Sequence, residues 1–448
     1  MSDQTPRSIA TLAAYPLLSA LIGRRSSRFA KGITMHEGPL AYASTTGPDP
    51  LTIEEEAALA FAACGITGHS LGDLPYGAGE FNGVEEGGGN IMINFTGRTA
   101  MSGDASHAVT MFVINDRGVR MLKRPQDFGP DERNALIQLA RDHKLVEAYD
   151  KLSVQLFDTR KALPRKMPYV APFNTWDTNL PGTTYFLPVV ECSVLYLNIL
   201  FGGFGDSIGM YVLDDRDNFK PAGIAAFAKS KGGHLDDNPA DDLIDTVSLL
   251  ETNLMQLLTV EVGAMLQNLA LMAQALGLGG YPHQAQHPEW LNQLGFTMQD
   301  VPFSKVMGFG GFKTTLMELL HKDPGVPTGL GLEVNGAPLI RPYCPPWYPT
   351  MADAVTAYLD FKFGARTGTL RDGGVGTGWK DGSAIQKGIA EYPQHTIDAV
   401  IAYATYIHDR YGRFPAVTGP VTNLMAFQAH RLDRSFYEKF YQPADLPA

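Results

Sequence analysis

Cysteine is scarce. Only Cys64, Cys192 and Cys344 occur in 448 residues, far apart and with no CxxC or Cys/His pair at zinc spacing. This excludes a disulfide framework and a cysteine-built metal site, and it fits a reducing cytoplasm. Basic charge is short as well. Lys and Arg number 36 against 47 Asp and Glu, a net charge of −11, which speaks against the basic face that general nucleic-acid binding requires. A long uninterrupted apolar run is missing too: 185–201 is broken by Pro188, Glu191 and Asn198, so no membrane span is expected there. At the N-terminus an acidic residue precedes a mildly apolar stretch and arginines follow it, the reverse of a secretory signal. Internal repeats and low-complexity tracts are absent. The expectation is a soluble cytoplasmic protein of one to three domains.

Glycine and proline are plentiful, at 47 and 30, and point to many ordered turns. The chain is organised around 259–283, TVEVGAMLQNLALMAQALGLGGYPH. Val262, Met265, Leu266, Leu269, Met272, Ala273 and Leu276 recur at helical spacing. Gly263, Ala264, Ala270 and Ala275 keep the remainder slim, so the helix is expected in the middle of a domain. Gly277 is a natural stop, because it reaches positive φ without a Cβ clash. The bare backbone of 278–282 would let a flat ligand lie close.

Other elements follow in order. A short amphipathic helix is expected at 8–22, running into Gly23-Arg24-Arg25-Ser26-Ser27-Arg28. That cluster is either solvated surface or an anion site, where guanidiniums and a hydroxyl converge on a phosphate. Thr52-Ile53-Glu54-Glu55 is a capping box opening a helix to about Cys64. Residues 65–97 read as a long glycine-rich loop. Val109–Asn115 and 119–123 form a hairpin about Asp116-Arg117-Gly118. Helices are expected at 130–148, 353–364, 386–411 and 420–441, a loop at 158–184, and strands at 186–201, 208–214 and 301–308. Asp236, Asp237, Asp241 and Asp242 read as an acidic helix start. His283 and His287 read as a solvated loop rather than a metal pair, and His430 as the ion-pair partner of Asp433 on a helix face. The pattern is α+β, a mixed or antiparallel sheet flanked by helices.

Taken together, these pieces resemble the FMN-dependent nitroreductase-like superfamily. Arg24-Arg25-Ser26-Ser27-Arg28 is similar to its N-terminal Arg-x-Ser-x-Arg element, and 62–68 (AACGITG) to the end of its next helix. Residues 98–105 (RTAMSGDA) resemble the segment of the branch containing azoline dehydrogenases. Glu261 to Gly279 resembles its glutamine-asparagine helix, and 294–308 its closing strand. Met101 stands where the family has proline, and His107-Ala108 where it has an aromatic-proline pair.

The resemblance implies FMN bound at a homodimer interface, each site built from both chains, with a small organic substrate. Arg24, Ser26 and Arg28 would hold the phosphate, with Arg341 a candidate to complete the clamp or else a surface arginine. Ser102, Gly103 and Asp104 would approach the ring. Asp104 would either accept from the flavin N3–H or be a solvated turn residue. Gly280 and Gln284 belong to the segment that would pass near N5, where a backbone N–H is the useful group. No side-chain acid or base is assigned, since the cofactor carries the chemistry. The implied activity is hydride transfer between flavin and substrate, with NAD(P)H as donor. The alternatives are a dehydrogenase reoxidised by O₂ and a flavin-binding protein without turnover. A core is expected over 1–340, with insertions at about 69–97 and 150–185. A mostly helical extension, a lid or dimer arm, is expected over 341–448. Trp176, Trp347 and Trp379 are candidate lid residues.

Overall fold

The computed structural model describes residues 9–74, 76, 88–285, 287–309, 312–417 and 425–447; part of the loop expected at 65–97 lies outside them. The chain is a mixed helix-and-sheet protein whose largest sheet has six strands. In chain order these are β1 (Val109–Asn115), β2 (Gly118–Leu122), β3 (Ser153–Phe157), β4 (Thr184–Val190), β5 (Gly279–Gln284) and β6 (Met425–His430). In space they run β5-β6-β4-β1-β2-β3, each antiparallel to its neighbours. The hairpin forms as its sequence demands. Asn115 pairs Gly118 across a two-residue turn, and Gly118 takes φ +113° where a Cβ would strike the Phe157 carbonyl. β1 and β4 are buried along their whole length.

Helices α1 (Ile53–Cys64), α2 (Ser193–Phe204), α3 (Val247–Leu276), α4 (Met351–Phe363) and α5 (Gln394–Tyr411) cover this sheet and one another. The capping box at α1 is formed as read, with Glu55 N–H donating to Thr52 Oγ1 and Thr52 N–H to Glu55 Oε2. α3 begins twelve residues before Thr259, at a Thr246 cap, and stops at Gly277 with φ +70°. Its buried face is Leu250, Leu254, Leu258, Glu261, Met265, Leu269 and Ala273. Each large apolar side chain there contributes roughly 1.5–3 kcal/mol of burial. The opposite face is not buried: Leu249 is 50% exposed, Leu257 45% and Val260 56%. By length and composition α3 could cross a membrane. Its buried Glu261 and its packing on α1 and the sheet instead make it a core helix on one side only.

Several expectations are corrected. Only the first part of 186–201 is strand. Residues 193–204 are helical and almost entirely buried, and a segment buried all round has no periodicity to separate the two forms. Residues 425–430 are not helix but β6, seated between β5 and β4. Met, Ala and Gln are good helix formers, but propensity is a weak preference that strand pairing on both sides overrides. The stretch set apart at 341 therefore supplies an interior strand of the main sheet. Strand 301–308 is shifted to Phe296–Pro302 and belongs to a separate three-stranded sheet with Gly325–Val334 and Ala337–Ile340. The N-terminal helix is interrupted at Pro16, and Leu17, Leu18, Leu21 and Ile22 are exposed. The helix expected at 386–411 is two, separated before Pro393. Asp236 and Asp237 cap a loop, accepting from Lys229 and Ser230, and do not open α3. Trp176 and Trp379 pack against different apolar clusters and Trp347 donates to the Leu330 carbonyl, so the three form no common lid.

Candidate functional site

α3 runs past both of the elements singled out in the sequence. Glu261 is buried. Its Oε2 accepts from Ser102 Oγ at 2.7 Å, and its Oε1 accepts from the Val109 N–H at 3.2 Å. Arg98 Nη1 stands 3.6 Å from Oε1. Desolvation raises the pKa of Glu261, against the pull of Arg98 and those hydrogen bonds. Seven residues on, Asn268 donates to the Thr99 carbonyl at 3.1 Å. At the far end Gln274 lies so close to Gly23 that a Cβ there would meet its side chain at 2.9 Å. Ser27 then bridges Gly280 of β5. From Glu261 to Gln274 is about 20 Å of helix at 1.5 Å per residue. Gly263 and Gln267 are exposed along that length and Ala264 and Ala270 half-buried, and a Cβ on Gly263 would meet nothing within 4 Å.

At the N-terminal cluster the three phosphate candidates part company. Arg28 is committed. Its Nε donates to Asp177 Oδ2 at 2.7 Å, and its Nη2 to Asp177 Oδ1 at 3.0 Å and Asn174 Oδ1 at 2.8 Å. The guanidinium also lies 4.5 Å from the centre of the Tyr281 ring and 5.3 Å from that of Trp176. Burial lowers its pKa, but Asp177 outweighs burial and the net shift is upward. Arg24 is half-buried and Ser26 exposed; their side chains make no hydrogen bond or ion pair among the described residues. Arg341 lies 4.3 Å from the centre of the Tyr348 ring and donates to the Trp347 carbonyl. Neither contact joins it to the other three.

The second element is a tightly held turn. Ser102 Oγ also accepts from the His107 N–H at 2.8 Å. Gly103 is exposed with open space about it. Asp104, at φ +53°, points neither to solvent nor outward from the turn. Its Oδ2 accepts from Asn198 Nδ2 at 3.1 Å, and desolvation raises its pKa. His107 is buried, donates from Nε2 to the Thr96 carbonyl, and has its pKa pushed down to about 3 by desolvation and then by Arg98.

β5 carries Gly280 and Gln284, together with a residue that the sequence reading set aside. His283 is not in a solvated loop. It lies on β5, 9% exposed, packed on Tyr185 and Tyr281. Its Nδ1 faces the Gln284 carbonyl, so the proton is on Nδ1 and Nε2 carries a lone pair. Nε2 is buried without a hydrogen-bond partner among the described residues. Desolvation pushes the pKa down to about 4, which keeps the ring neutral. The side chain lines a cavity of about 230 Å³ with Gln284, Arg165, Tyr169, Tyr185 and Trp290. Alternation along 279–284 was the available signal for burial, but glycine and proline at three of its six positions obscured it. His430 is likewise on a strand and fully buried, with its pKa lowered by desolvation to about 3. It forms no ion pair with Asp433, which instead caps the following helix.

No family model matches the chain, and no curated protein does. Among solved structures it is similar to a protein from Ralstonia eutropha provisionally described as a nitroreductase. The two are 13% identical, over 66% of this chain and 79% of the other, with a TM-score of 0.27. At that score the likeness carries neither a fold assignment nor a chemistry.

Proposed function

We propose that the chain is an FMN-binding oxidoreductase, passing hydride between the flavin and a small organic substrate and working as a homodimer. The observation that carries this reading is the run of contacts along one helix. Glu261 and Asn268 bond the 98–104 turn, and Gln274, about 9 Å further along the helix, lies beside Gly23 of the Gly23–Arg28 segment, with a slim helix surface between them.

The residues fit such a cofactor in part. Arg24 and Ser26 are uncommitted and would hold the phosphate, while Arg28 is occupied by Asp177 and would serve as a second positive charge behind them. Gly103 and Gly263 leave open space where a ring could approach the backbone. When bound, the flavin supplies the hydride chemistry. The chain supplies the rest: Glu261 fixes the Ser102 turn, and the aromatic walls of the 230 Å³ cavity exclude water. His283 Nε2 offers a proton acceptor there. A second copy of the chain would cover Leu17, Leu18, Leu21 and Ile22 together with Leu257 and Val260 of α3. NAD(P)H is the expected donor. Consumption of O₂ without NAD(P)H would favour the dehydrogenase direction instead.

The test is an absorbance spectrum of the protein purified without added cofactor, with the released chromophore compared with FMN and FAD. Flavin bands and released FMN are expected. No flavin, and none retained after incubation with FMN, overturns the proposal.

A further inference from the structure

Outside the α3 region, three polar side chains from distant parts of the chain meet at one point on the surface. Asp206 follows the end of α2, His234 lies in the 225–237 loop, and His395 is the second residue of α5. One ligand atom from each lies within 4.8 Å of the other two. His395 Nε2 is 2.9 Å from both oxygens of Asp206. The His234 and His395 rings pack edge-on with centroids 4.4 Å apart.

The backbone under each residue is fixed. Gly205 closes α2 by donating to the Phe201 carbonyl. Gly233 N–H donates to Ala228 O and Leu235 N–H to Phe227 O, so His234 is held on both sides. Gly209 takes φ +68° directly beneath it, where a Cβ would stand 3.0 Å from the His234 carbonyl. His395 is followed by Thr396, which is fully buried, and α5 itself packs on α2 through the 2.7 Å Tyr196–Tyr403 hydroxyl contact.

We propose that Asp206, His234 and His395 form a binding site for a borderline divalent cation of the zinc class. His234 Nε2 faces the Phe204 carbonyl at 3.1 Å. A carbonyl only accepts, so the proton is on Nε2 and the lone pair on Nδ1. A metal-ligating histidine commonly donates its other ring nitrogen to a backbone carbonyl that sets its tautomer and orientation, and the Phe204 carbonyl is placed for that role. At His395 the cation would replace the Nε2 proton shared with Asp206. Tetrahedral ligation at about 2.0–2.1 Å separates two ligand atoms by roughly 3.3 Å, so the 2.9 Å contact opens by a few tenths of an ångström. Two imidazoles and one carboxylate suit zinc, cobalt or nickel. Calcium and magnesium prefer more oxygen ligands than this cluster provides. One carboxylate leaves the loaded site with one positive charge, tolerable because Asp206 and His395 are exposed. The solvent side leaves room for water in the remaining positions. The bound ion would tie the end of α2 and the 225–237 loop to the start of α5.

The experiment uses the full-length protein stripped with chelator and then titrated with ZnCl₂ by calorimetry. Co²⁺ absorption supplies the geometry, and thermal unfolding is followed with and without metal. One equivalent of zinc is expected, with a four-coordinate Co²⁺ spectrum and an unfolding temperature that rises with metal. Asp206→Asn, His234→Gln and His395→Gln should each weaken binding at least tenfold, since each removes one of three ligands. Their unfolding temperatures in chelator should equal that of the parent. His408→Gln, on a half-buried histidine paired with Asp409, should bind as the parent does. No stoichiometric binding overturns the proposal. So does parent-like binding in His234→Gln, which would mean an adventitious ion on the Asp206–His395 pair.

Discussion

Acid should weaken this protein through its buried histidines, and His107 gives the cleanest measurement. Its ring is 2% exposed, and its pKa is pushed down to about 3 by desolvation, with Arg98 adding to the shift. The folded pKa therefore lies below the unfolded one. The stability tied to the neutral ring is complete above the unfolded value and is lost as pH falls toward the folded one. With an ordinary histidine pKa of about 6.5, the unfolded ring is almost fully protonated at pH 5 while the folded ring is not. The resulting loss between pH 7.5 and pH 5 is about 2 kcal/mol for this residue. His283 and His430, at about 4 and about 3, contribute similar losses over the same window. Glu261 and Glu191 have raised values and act in the opposite sense. The difference between the parent and a variant cancels these common contributions. His107→Asn suits this test, because asparagine tolerates the φ of +42° at this position. Urea unfolding of both proteins at pH 7.5 and pH 5.0 should show the parent losing about 2 kcal/mol more than the variant. Equal losses would mean that the His107 ring is not held neutral in the fold, and the reasoning would fail.

Three further outcomes are expected. Glu261→Ala should cost about 3–5 kcal/mol in urea unfolding, because it leaves the buried Arg98 guanidinium without its carboxylate; Glu261→Gln, which keeps an acceptor for Ser102, should cost less. Arg24→Ala should weaken FMN binding by about tenfold while leaving riboflavin unchanged, since a charge-assisted phosphate contact is lost; equal loss for both ligands would remove the phosphate from that position. Leu21→Asp combined with Val260→Asp should convert the proposed dimer to monomer in sedimentation, with the far-ultraviolet spectrum unchanged. A double variant that stays dimeric would place the interface elsewhere.

The sequence was readable where local chemistry decides the outcome. The Thr52 cap, the hairpin after Asn115 and the stop at Gly277 each depend on a few adjacent residues and form where they were read, except that Gly118 pairs with Asn115 as the first residue of β2 and does not sit in the turn. The sequence misled where burial is complete. Val194, Leu195, Tyr196, Leu197 and Phe201 are apolar on every side of α2, so nothing in their spacing distinguishes helix from strand. β6 was hidden for another reason: Ala426, Gln428 and Ala429 have no strand preference, and their conformation is imposed by pairing with β5 and β4. Gln428 shows the cost of such a position. Buried completely, it accepts from the Asn179 N–H and donates to the Asp177 carbonyl, contacts that sequence spacing of about 250 residues could not announce. The site was legible in the same uneven way. The segment carrying Arg24 and Ser26 stands out by composition, and the one carrying Ser102 only by its resemblance to a family. The commitment of Arg28 to Asp177 and the burial of His283 depend on segments far away in the chain.

Asp104 raised a specific difficulty, because a carboxylate facing a reduced flavin would oppose the charge that develops on it. The fold removes the conflict by turning the side chain inward. Asn198 donates to Asp104 from Nδ2, while its Oδ1 accepts from Lys362 Nζ at 2.8 Å and from the Tyr358 hydroxyl at 2.9 Å. Lys362 donates as well to the Asn90 carbonyl and to Tyr392. Its pKa is lowered to about 7 by desolvation, with Asp104 the opposing influence. The carboxylate thus faces a buried amine across one amide, and the outer surface of the turn is left to Gly103. That arrangement is not cheap. Asp104, Ala105 and His107 all have positive φ, each at roughly 1–3 kcal/mol of strain. They are held by Asn198, by Asn94 donating to the Ala105 carbonyl at 2.6 Å, and by the Thr96 carbonyl that receives His107. A plain connection between the Thr96–Arg98 strand and β1 would use glycines and need none of these anchors. Strain held from three sides around an exposed Gly103 is the expected signature of a turn whose backbone position matters to a ligand.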